Sequence, residues 1–248
     1  MTTNVFDSIA GVVSTDSRWS VRWGNQRLIY VDDTHFHKIE IVKNAVFMFA
    51  GNGMRIQEWK NWLRSSPNSG ANRPMLEGIV LTMVSMDTRE ILMQHGVDIE
   101  RSGAYFAGTG ARFAVPCWET NHDAVKSVAT AIQSDPWSGG QVKFVDLVSK
   151  GNNLVTNGVM ACTDLKAVGA AIATRGTVMQ LSQDSSIKHA PFQLSQLAAN
   201  DSDLSGLVAD LVAQRVVPEA PCDGMFNEWT QEEVRALDCE LAKLFEWK

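Results

Sequence analysis

The chain has 248 residues and a formal net charge of −6, and its 45% hydrophobic and 20% charged residues are ordinary for a globular protein with a buried core. Lysine and arginine form no cluster along the sequence, which argues against a phosphate-binding face, so we expect no nucleic-acid partner. No apolar stretch is long enough to span a bilayer and no secretory signal is visible, which predicts no membrane partner and a cytoplasmic location.

The four cysteines are scattered along the chain. Cys117, Cys162, Cys222 and Cys239 form no CxxC pair. This spacing fits neither a disulfide framework nor a zinc-binding motif, so we expect reduced thiols.

The first quarter of the sequence predicts antiparallel strands joined by short turns. The strands are predicted, in chain order, at residues 5–6, 9–14, 27–31, 38–42 and 45–50. Asp7-Ser8 and Lys43-Asn44 are the turn signals of two hairpins. Apolar side chains then recur at helical spacing and predict an amphipathic helix over residues 53–64.

The middle of the chain alternates between strands and helices. It predicts a loop at 65–74, strands at 78–86, 90–95 and 104–107, a helical pattern at 111–134 that breaks near Pro116 and again at Asn121–His122, and a strand at 141–148. Strand pairs followed by helices and further strands indicate helices that cover a two-sheet sandwich.

The last third carries a weaker pattern. Residues 164–175 and 194–217 are predicted to be helical, and Pro218 and Pro221 interrupt the chain after them. Thr230 and Glu233 have the spacing of a capping box, which predicts a helix that continues to the C-terminus. We therefore predict one domain over residues 1–190 and a helical extension over 191–248 packed on it.

The first residues of the chain include a candidate catalytic nucleophile. The sequence begins Met1-Thr2-Thr3, and methionine aminopeptidases usually remove the initiator when the second residue is small. Thr2 would then carry a free α-amine with a pKa near ~8, so one residue would supply both a hydroxyl nucleophile and its base.

Five short motifs in a fixed order resemble the N-terminal-nucleophile hydrolases of the proteasome β-subunit and HslV family. They are Thr2-Thr3, the Asp16-Ser-Arg tripeptide, Lys38 before a β-branched residue, the glycines Gly51 and Gly108-Thr109-Gly110, and Asp135-x-x-Ser138-Gly-Gly. The match runs over residues 2–148. The segment between Asp16 and Lys38 is longer than in the family, and Thr109 replaces a serine. The resemblance implies an α+β fold, a four-layer αββα sandwich.

The resemblance also implies a threonine-type peptidase or amidohydrolase. Its implied site residues are Thr2, Asp16, Lys38, Gly51, Thr109, Asp135 and Ser138. Thr2 would attack an amide carbonyl, Lys38 would lower the pKa of its amine and hydroxyl, and Asp16 would orient Lys38. The Gly51 N–H would stabilise the oxyanion, and the last three residues would surround the amine. No cofactor or metal, a peptide or protein substrate and a homo-oligomer are implied as well.

The sequence is also compatible with two other functions. A catalytically silent protein on the same fold would bind a partner protein, as an inhibitor or immunity protein does, through its C-terminal extension and some of its eight tryptophans. A metal hydrolase would instead use His35 and His37, which share one strand face and lie near Asp32 and Asp33. If Met1 stays attached, the amine is not on Thr2 and the threonine mechanism fails.

Overall fold

The computed structural model describes residues 2–154, 164–181 and 191–247, and they form a mixed arrangement of strands and helices. The strands are β1 (Asn4–Asp7), β2 (Val12–Thr15), β3 (Trp19–Trp23), β4 (Arg27–Val31), β5 (Ile39–Val42), β6 (Ala45–Asn52), β7 (Ile79–Ser85), β8 (Ile91–His95), β9 (Ile99–Arg101), β10 (Ala104–Ala107), β11 (Lys143–Asp146), β12 (Thr177–Gln180), β13 (Phe192–Gln193) and β14 (Glu219–Ala220). The helices are α1 (Gly53–Arg64), α2 (Ala111–Asn121), α3 (Ala124–Ser134), α4 (Leu165–Arg175), α5 (Leu194–Ala198), α6 (Ser202–Val212) and α7 (Gln231–Phe245).

The strands form two sheets. The first has five strands in the spatial order β11, β2, β1, β10, β9, and the second has nine, in the order β13, β12, β4, β3, β14, β6, β7, β8, with β5 also paired to β6. The strand pairs described in both sheets are antiparallel. The prediction of antiparallel strands in two sheets is therefore confirmed.

Apolar side chains pack on both faces of each sheet, because successive strand residues point to opposite faces. On β1, Val5 belongs to a cluster with residues of α2 and α3, whereas Phe6 belongs to a cluster with residues of β5, β6 and β7. On β6, Val46 shares the cluster of Phe6, and Phe47 shares a third cluster with residues of α1, α4, α6 and α7. Three clusters of apolar side chains thus join the two sheets to each other and to their helices.

The turn between β1 and β2 is longer than the sequence predicts. The Asp7 Oδ1 atom accepts hydrogen bonds from the N–H groups of Ile9 and Ala10, and Gly11 has a φ of +68°. Ile9 is 70% exposed, so the predicted strand at 9–14 was wrong at its start. The strand begins at Val12 because the aspartate holds the preceding residues in a turn.

The helical pattern predicted at 111–134 is two helices, so the predicted break at Asn121–His122 is confirmed and the predicted break at Pro116 was wrong. Pro116 lies inside α2, where Ala114, Val115 and Trp118 bury the flanking turns against the first sheet. The chain leaves the helix at His122, which adopts a left-handed conformation with a φ of 48°. Packing of the flanking residues therefore outweighs the loss of one helical hydrogen bond at the proline.

The C-terminal third is less uniform than predicted. The helical segment at 194–217 is divided into α5 and α6, because the Asp201 side chain caps a new helix by accepting from the N–H groups of Asp203 and Leu204. The capping box at Thr230 is present as predicted. The division into residues 1–190 and 191–248 stays a prediction, and the second range supplies β13 and β14 to the nine-stranded sheet besides its helices.

Within the described ranges, no helix has both the length and the apolar character needed to cross a bilayer.

Candidate active site

Three residues that are far apart in the sequence meet at the ends of three strands. Thr2 precedes β1, Asp16 follows β2 and Lys38 precedes β5. Lys38 Nζ lies 2.7 Å from Thr2 Oγ1 and 2.8 Å from Asp16 Oδ1, and the Thr2 hydroxyl donates to the same Asp16 oxygen. All three residues are at most 1% exposed. The structure therefore brings together a hydroxyl, an amine and a carboxylate in one closed triangle.

The Asp16 carboxylate is held by the backbone as well as by Lys38. Its Oδ1 atom accepts from the N–H of Thr3 at 2.9 Å, and its Oδ2 atom accepts from the N–H groups of Arg18 at 3.1 Å and Gly139 at 3.2 Å. Hydrogen bonds to a carboxylate favour its charged form and fix its orientation. Asp16 is thus a fixed anchor for the ammonium group of Lys38.

Burial and pairing act in opposite directions on the pKa values of this pair. Burial alone would raise the pKa of the Asp16 carboxyl, but the charge of Lys38 and the hydrogen bonds from Lys38, Thr2 and Thr3 hold this pKa below its ordinary value of 3.8. Burial lowers the pKa of Lys38 below its ordinary value, and the attraction of Asp16 opposes that shift. A lysine whose proton is less tightly held can exchange it more readily with a neighbouring hydroxyl.

A second hydrogen-bonded network of hydroxyl and carboxyl groups begins at Thr3. Thr3 Oγ1 lies 2.7 Å from Ser138 Oγ, which donates to Asp135 Oδ2 at 2.8 Å, and the Thr109 hydroxyl donates to the same carboxylate oxygen at 2.8 Å. This network leaves no room for a side chain at Gly110, where an added Cβ would lie 1.7 Å from Thr3 Oγ1. Thr109, Asp135 and Ser138 therefore lie together beside the N-terminal threonine pair.

Gly51 lies near the C-terminal end of β6, with a φ of +113° that favours glycine. An added Cβ at this position would lie 2.2 Å from the Gly78 carbonyl oxygen, so the backbone that leads into β7 excludes a larger residue. The strand is tied to the triangle through Phe49, whose N–H donates to the Lys38 carbonyl at 2.8 Å and whose carbonyl accepts from Asn4 Nδ2 at 3.2 Å.

An arginine that sequence reasoning left without a role supports the loop after β2. The Arg18 guanidinium forms a two-point ion pair with Asp32 at 2.8 Å for each contact, donates to the Pro136 carbonyl at 2.6 Å and lies 3.6 Å from the centre of the Tyr30 ring. Arg18 therefore fixes the loop that carries Asp16 to β4 and to the turn before Ser138. Its place directly after Asp16-Ser17 was the signal available in the sequence.

The histidine pair is built differently from a metal site. The rings of His35 and His37 lie 6.2 Å apart between centroids, and burial lowers the pKa of His37 to about 4. Asp32 pairs with Arg18, and Asp33 accepts from the Ser17 hydroxyl at 2.8 Å. Among residues 2–154, 164–181 and 191–247, no group of three or more His, Cys, Asp or Glu is placed to hold a metal ion.

Comparison with known proteins gives a likeness of fold only. No family model and no curated protein matches the sequence. Among the solved structures that are similar, the Thiobacillus denitrificans protein described as BPH in complex with Epoxomicin has 14% identity, covers 58% of this chain and 96% of its own, and has a TM-score of 0.40. A eukaryotic HslV from Trypanosoma brucei has 16% identity, covers 57% of this chain and 97% of its own, and has a TM-score of 0.37. The chemistry of the site has therefore to be inferred from its own side chains.

Proposed function

We propose that the protein is an N-terminal threonine peptidase or amidohydrolase with a four-layer αββα fold of the proteasome type. The observation that carries the proposal is the position of Lys38 Nζ, within hydrogen-bond distance of both Thr2 Oγ1 and Asp16 Oδ1 in a fully buried site. A buried ammonium and a buried carboxylate are costly unless both are paired. Their placement around a threonine hydroxyl is what activation of a weak nucleophile requires.

The mechanism starts with removal of Met1, which leaves the α-amine on Thr2. The Thr2 oxygen then forms a bond to the substrate carbonyl carbon, while its proton passes to the α-amine, directly or through a water molecule. Lys38 stabilises the developing negative charge, and Asp16 keeps Lys38 oriented. We assign the Gly51 N–H to the oxyanion, where the loss of a donor typically costs about 3 kcal/mol.

The cycle closes in two further steps. The tetrahedral intermediate breaks its C–N bond, the leaving amine takes the proton from the α-amine, and the acyl group stays on Thr2 as an ester. A water molecule attacks the ester with the α-amine again as base, and this releases the acid and restores the hydroxyl. Thr109, Asp135 and Ser138 are assigned to orient the N-terminal pair, since Ser138 contacts the hydroxyl of Thr3.

Other parts of the proposal are supported less directly. The clusters that join α2 and α3 to the first sheet, the two sheets to each other, and α1 and α4 to the second sheet support four layers. We further propose a homo-oligomer in the cytoplasm, acting on peptide or protein chains. A monomeric mass by light scattering at working concentration would contradict the oligomer.

One observation favours the alternative of a silent, partner-binding protein. The Thr2 side chain has no exposed surface, so a substrate has no direct access to it in this conformation. A silent relative would keep the buried triangle for stability and lose the reaction. The two functions are separated by reactivity at Thr2 and by the state of Met1.

A covalent probe tests the proposal. A peptide α′,β′-epoxyketone reacts with a hydroxyl and an amine on the same residue, and we expect an adduct on Thr2 by peptide mass spectrometry. Thr2→Ala and Lys38→Met should abolish it. Thr120→Ala and Lys126→Met, which alter the same residue types at exposed positions, should leave it unchanged. An adduct that survives Thr2→Ala would refute the assignment of the nucleophile.

A further inference from the structure

A two-residue strand from the C-terminal third lies in the middle of the nine-stranded sheet. Glu219 of β14 pairs with Ser20 of β3 and with Asn52 of β6, and Ala220 pairs with Gly51. Without β14, β3 and β6 would face each other across an unfilled gap, here called the seat. The residues 218–225, here called the strap, fill it.

The other edges of the two strands that flank the seat are already paired. The opposite edge of β3 pairs with β4, and the opposite edge of β6 pairs with β7. On the seat side, β6 pairs with β5 from Ala45 to Met48, and only its last residues pair with β14. Two unpaired strand edges that face each other can bind an extended peptide, which forms main-chain hydrogen bonds with both of them.

The strap is packed as tightly as a core element although its regular structure is only the two residues of β14 and part of a 3-10 helix at Asp223–Phe226. Its buried residues Cys222 and Met225 form one apolar cluster with Ala50, Val80 and Ala107, and Ala220 belongs to the larger cluster that contains Phe47. An added Cβ at Gly53 would lie 2.1 Å from the Pro218 carbonyl oxygen. Burial raises the pKa of the Cys222 thiol to about 12.

The strap reaches residues that adjoin the proposed site on two sides. Ser20 follows Trp19, whose ring centre lies 5.9 Å from Lys38 Nζ. Ala107 precedes Gly108, where an added Cβ would lie 1.9 Å from the Thr2 carbonyl oxygen. The strap therefore lies next to the site on the side where β3 begins and β6 ends, and Thr2 is fully buried.

Two features make the strap exchangeable. Its strand pairing comprises only two residues, and the segments before and after it, residues 212–215 and 226–228, are exposed. It can thus leave the seat without unwinding α6 or α7. In addition, the Ser20 hydroxyl is buried without a hydrogen-bond partner in the described part of the chain, so the strap does not satisfy the seat completely.

We propose that the strap is an internal occupant of the seat, which an extended peptide takes only when the strap has left, so that the protein blocks its own site. The catalytic consequence rests on the proposed function, but the exchange of strap and peptide does not. Because the pairing with Ser20, Gly51 and Asn52 uses main-chain groups, the occupant is an extended peptide. Its sequence is unrestricted except for a small residue at the buried position that Ala220 fills.

The test displaces the strap by a single substitution. Ala220→Glu puts a charged side chain at a fully buried position, and Ala213→Glu makes the same change at an exposed position between α6 and the strap. Both are made with Thr2 intact and in the Thr2→Ala background. The measurements are the alkylation rate of Cys222 by peptide mass spectrometry, binding of a fluorescent synthetic peptide with the sequence of residues 216–225, and the rate of epoxyketone capture.

We expect Ala220→Glu to accelerate alkylation of Cys222 by at least about tenfold, since the strap must open for the reagent to enter. The peptide should bind Ala220→Glu in the Thr2→Ala background, and neither the parent chain nor Ala213→Glu should bind it. Capture at Thr2 should rise at least about tenfold with Thr2 intact.

The outcomes separate the two proposals. Peptide binding without capture in any variant would support the exchange and overturn the enzyme. Capture at equal rates in the parent chain and Ala220→Glu would overturn the self-block and keep the enzyme. Exposed Cys222 without peptide binding would overturn the seat. If Ala220→Glu does not fold, a specific protease site inserted after Gln214 and cut in the folded protein gives the same comparison, with the uncut protein as control.

Discussion

Replacing Lys38 by methionine isolates the buried ion pair of the proposed site. Methionine keeps an unbranched apolar stem of similar length and removes the ammonium group, so the change acts mainly on charge. It leaves the Asp16 carboxylate fully buried with its backbone donors but without its counter-ion. The free energy of unfolding should therefore fall, because a buried charge loses the partner that offsets its desolvation.

The expected loss is large for one substitution. Removal of one partner of a buried pair typically costs about 3–5 kcal/mol. Asp16→Asn alone leaves an unpaired ammonium, whereas the double variant leaves no buried charge at this point. The double variant should thus lose less stability than the sum of the single variants, with a coupling free energy of about 2 kcal/mol.

The pH dependence of this loss has a definite sign. In the parent chain the pKa of Asp16 is depressed, so its stabilising contribution is present above the unfolded value of 3.8 and is lost as the pH falls through the folded value. In Lys38→Met, burial dominates and raises this pKa, so stability is lost as the pH rises. The difference between the two proteins should therefore grow from pH 4 to pH 7.

Urea unfolding of the parent chain, both single variants and the double variant at pH 4 and pH 7 measures these terms. Lys126→Met is the matched control, because Lys126 pairs with Asp123 at the surface and its loss should cost less than about 1 kcal/mol. Additive losses in the cycle, or a difference between parent and Lys38→Met that does not change with pH, would refute the buried pair.

Three further results are expected from urea unfolding. Burial lowers the pKa of His37 to about 4 from an unfolded value of 6.5, so the stability that neutral His37 contributes is present above pH 6.5 and is lost as the pH falls to 4. His37→Gln should therefore flatten the plot of unfolding free energy against pH in this interval. An unchanged slope would contradict this. Gly110→Ala should destabilise by about 2 kcal/mol or more through its clash with Thr3, whereas Gly206→Ala, in open space within a helix, should stabilise by about 0.5–1 kcal/mol. Trp62→Ala should cost about 2–3 kcal/mol, because its ring packs edge-on against three aromatic rings, and a loss below about 0.5 kcal/mol would show that this cluster is not a stabilising one.

The sequence predicts the elements whose signals are local. The hairpin at Lys43 follows from turn residues, and Lys43 has the positive φ that such a turn requires. Helix α7 follows from the capping box at Thr230, and α1 from its apolar spacing. In each case the information lies within a few residues of the element.

Short strands with distant partners could not be predicted. Strands β12 and β14 have four and two residues, too few for a periodic pattern, and they pair with β4 and with β3 and β6, which are distant in the sequence. Strand β14 lies between Pro218 and Pro221, which indicate only that the chain does not form a helix there. Its position between β3 and β6 depends on the completed sheet.

The site divides in the same way. Thr2, Asp16 and Lys38 were proposed by resemblance to a family, because no spacing rule brings residues 14 and 22 positions apart to one point. The role of Arg18 depends on Asp32, and Asp32 was weighed only as a metal ligand with the histidines. Pairings of this kind are decided by tertiary structure, which a single sequence does not display.

In the proposed mechanism Thr2 carries both the nucleophile and its base, and the intact mass of the protein purified from cells shows whether it can. We expect a mass lower than that of the 248-residue chain by one methionine residue, so that the α-amine is on Thr2. Incubation with the epoxyketone should then add the mass of one inhibitor. A mass that retains Met1 would contradict the account, because the base would be missing from the nucleophile.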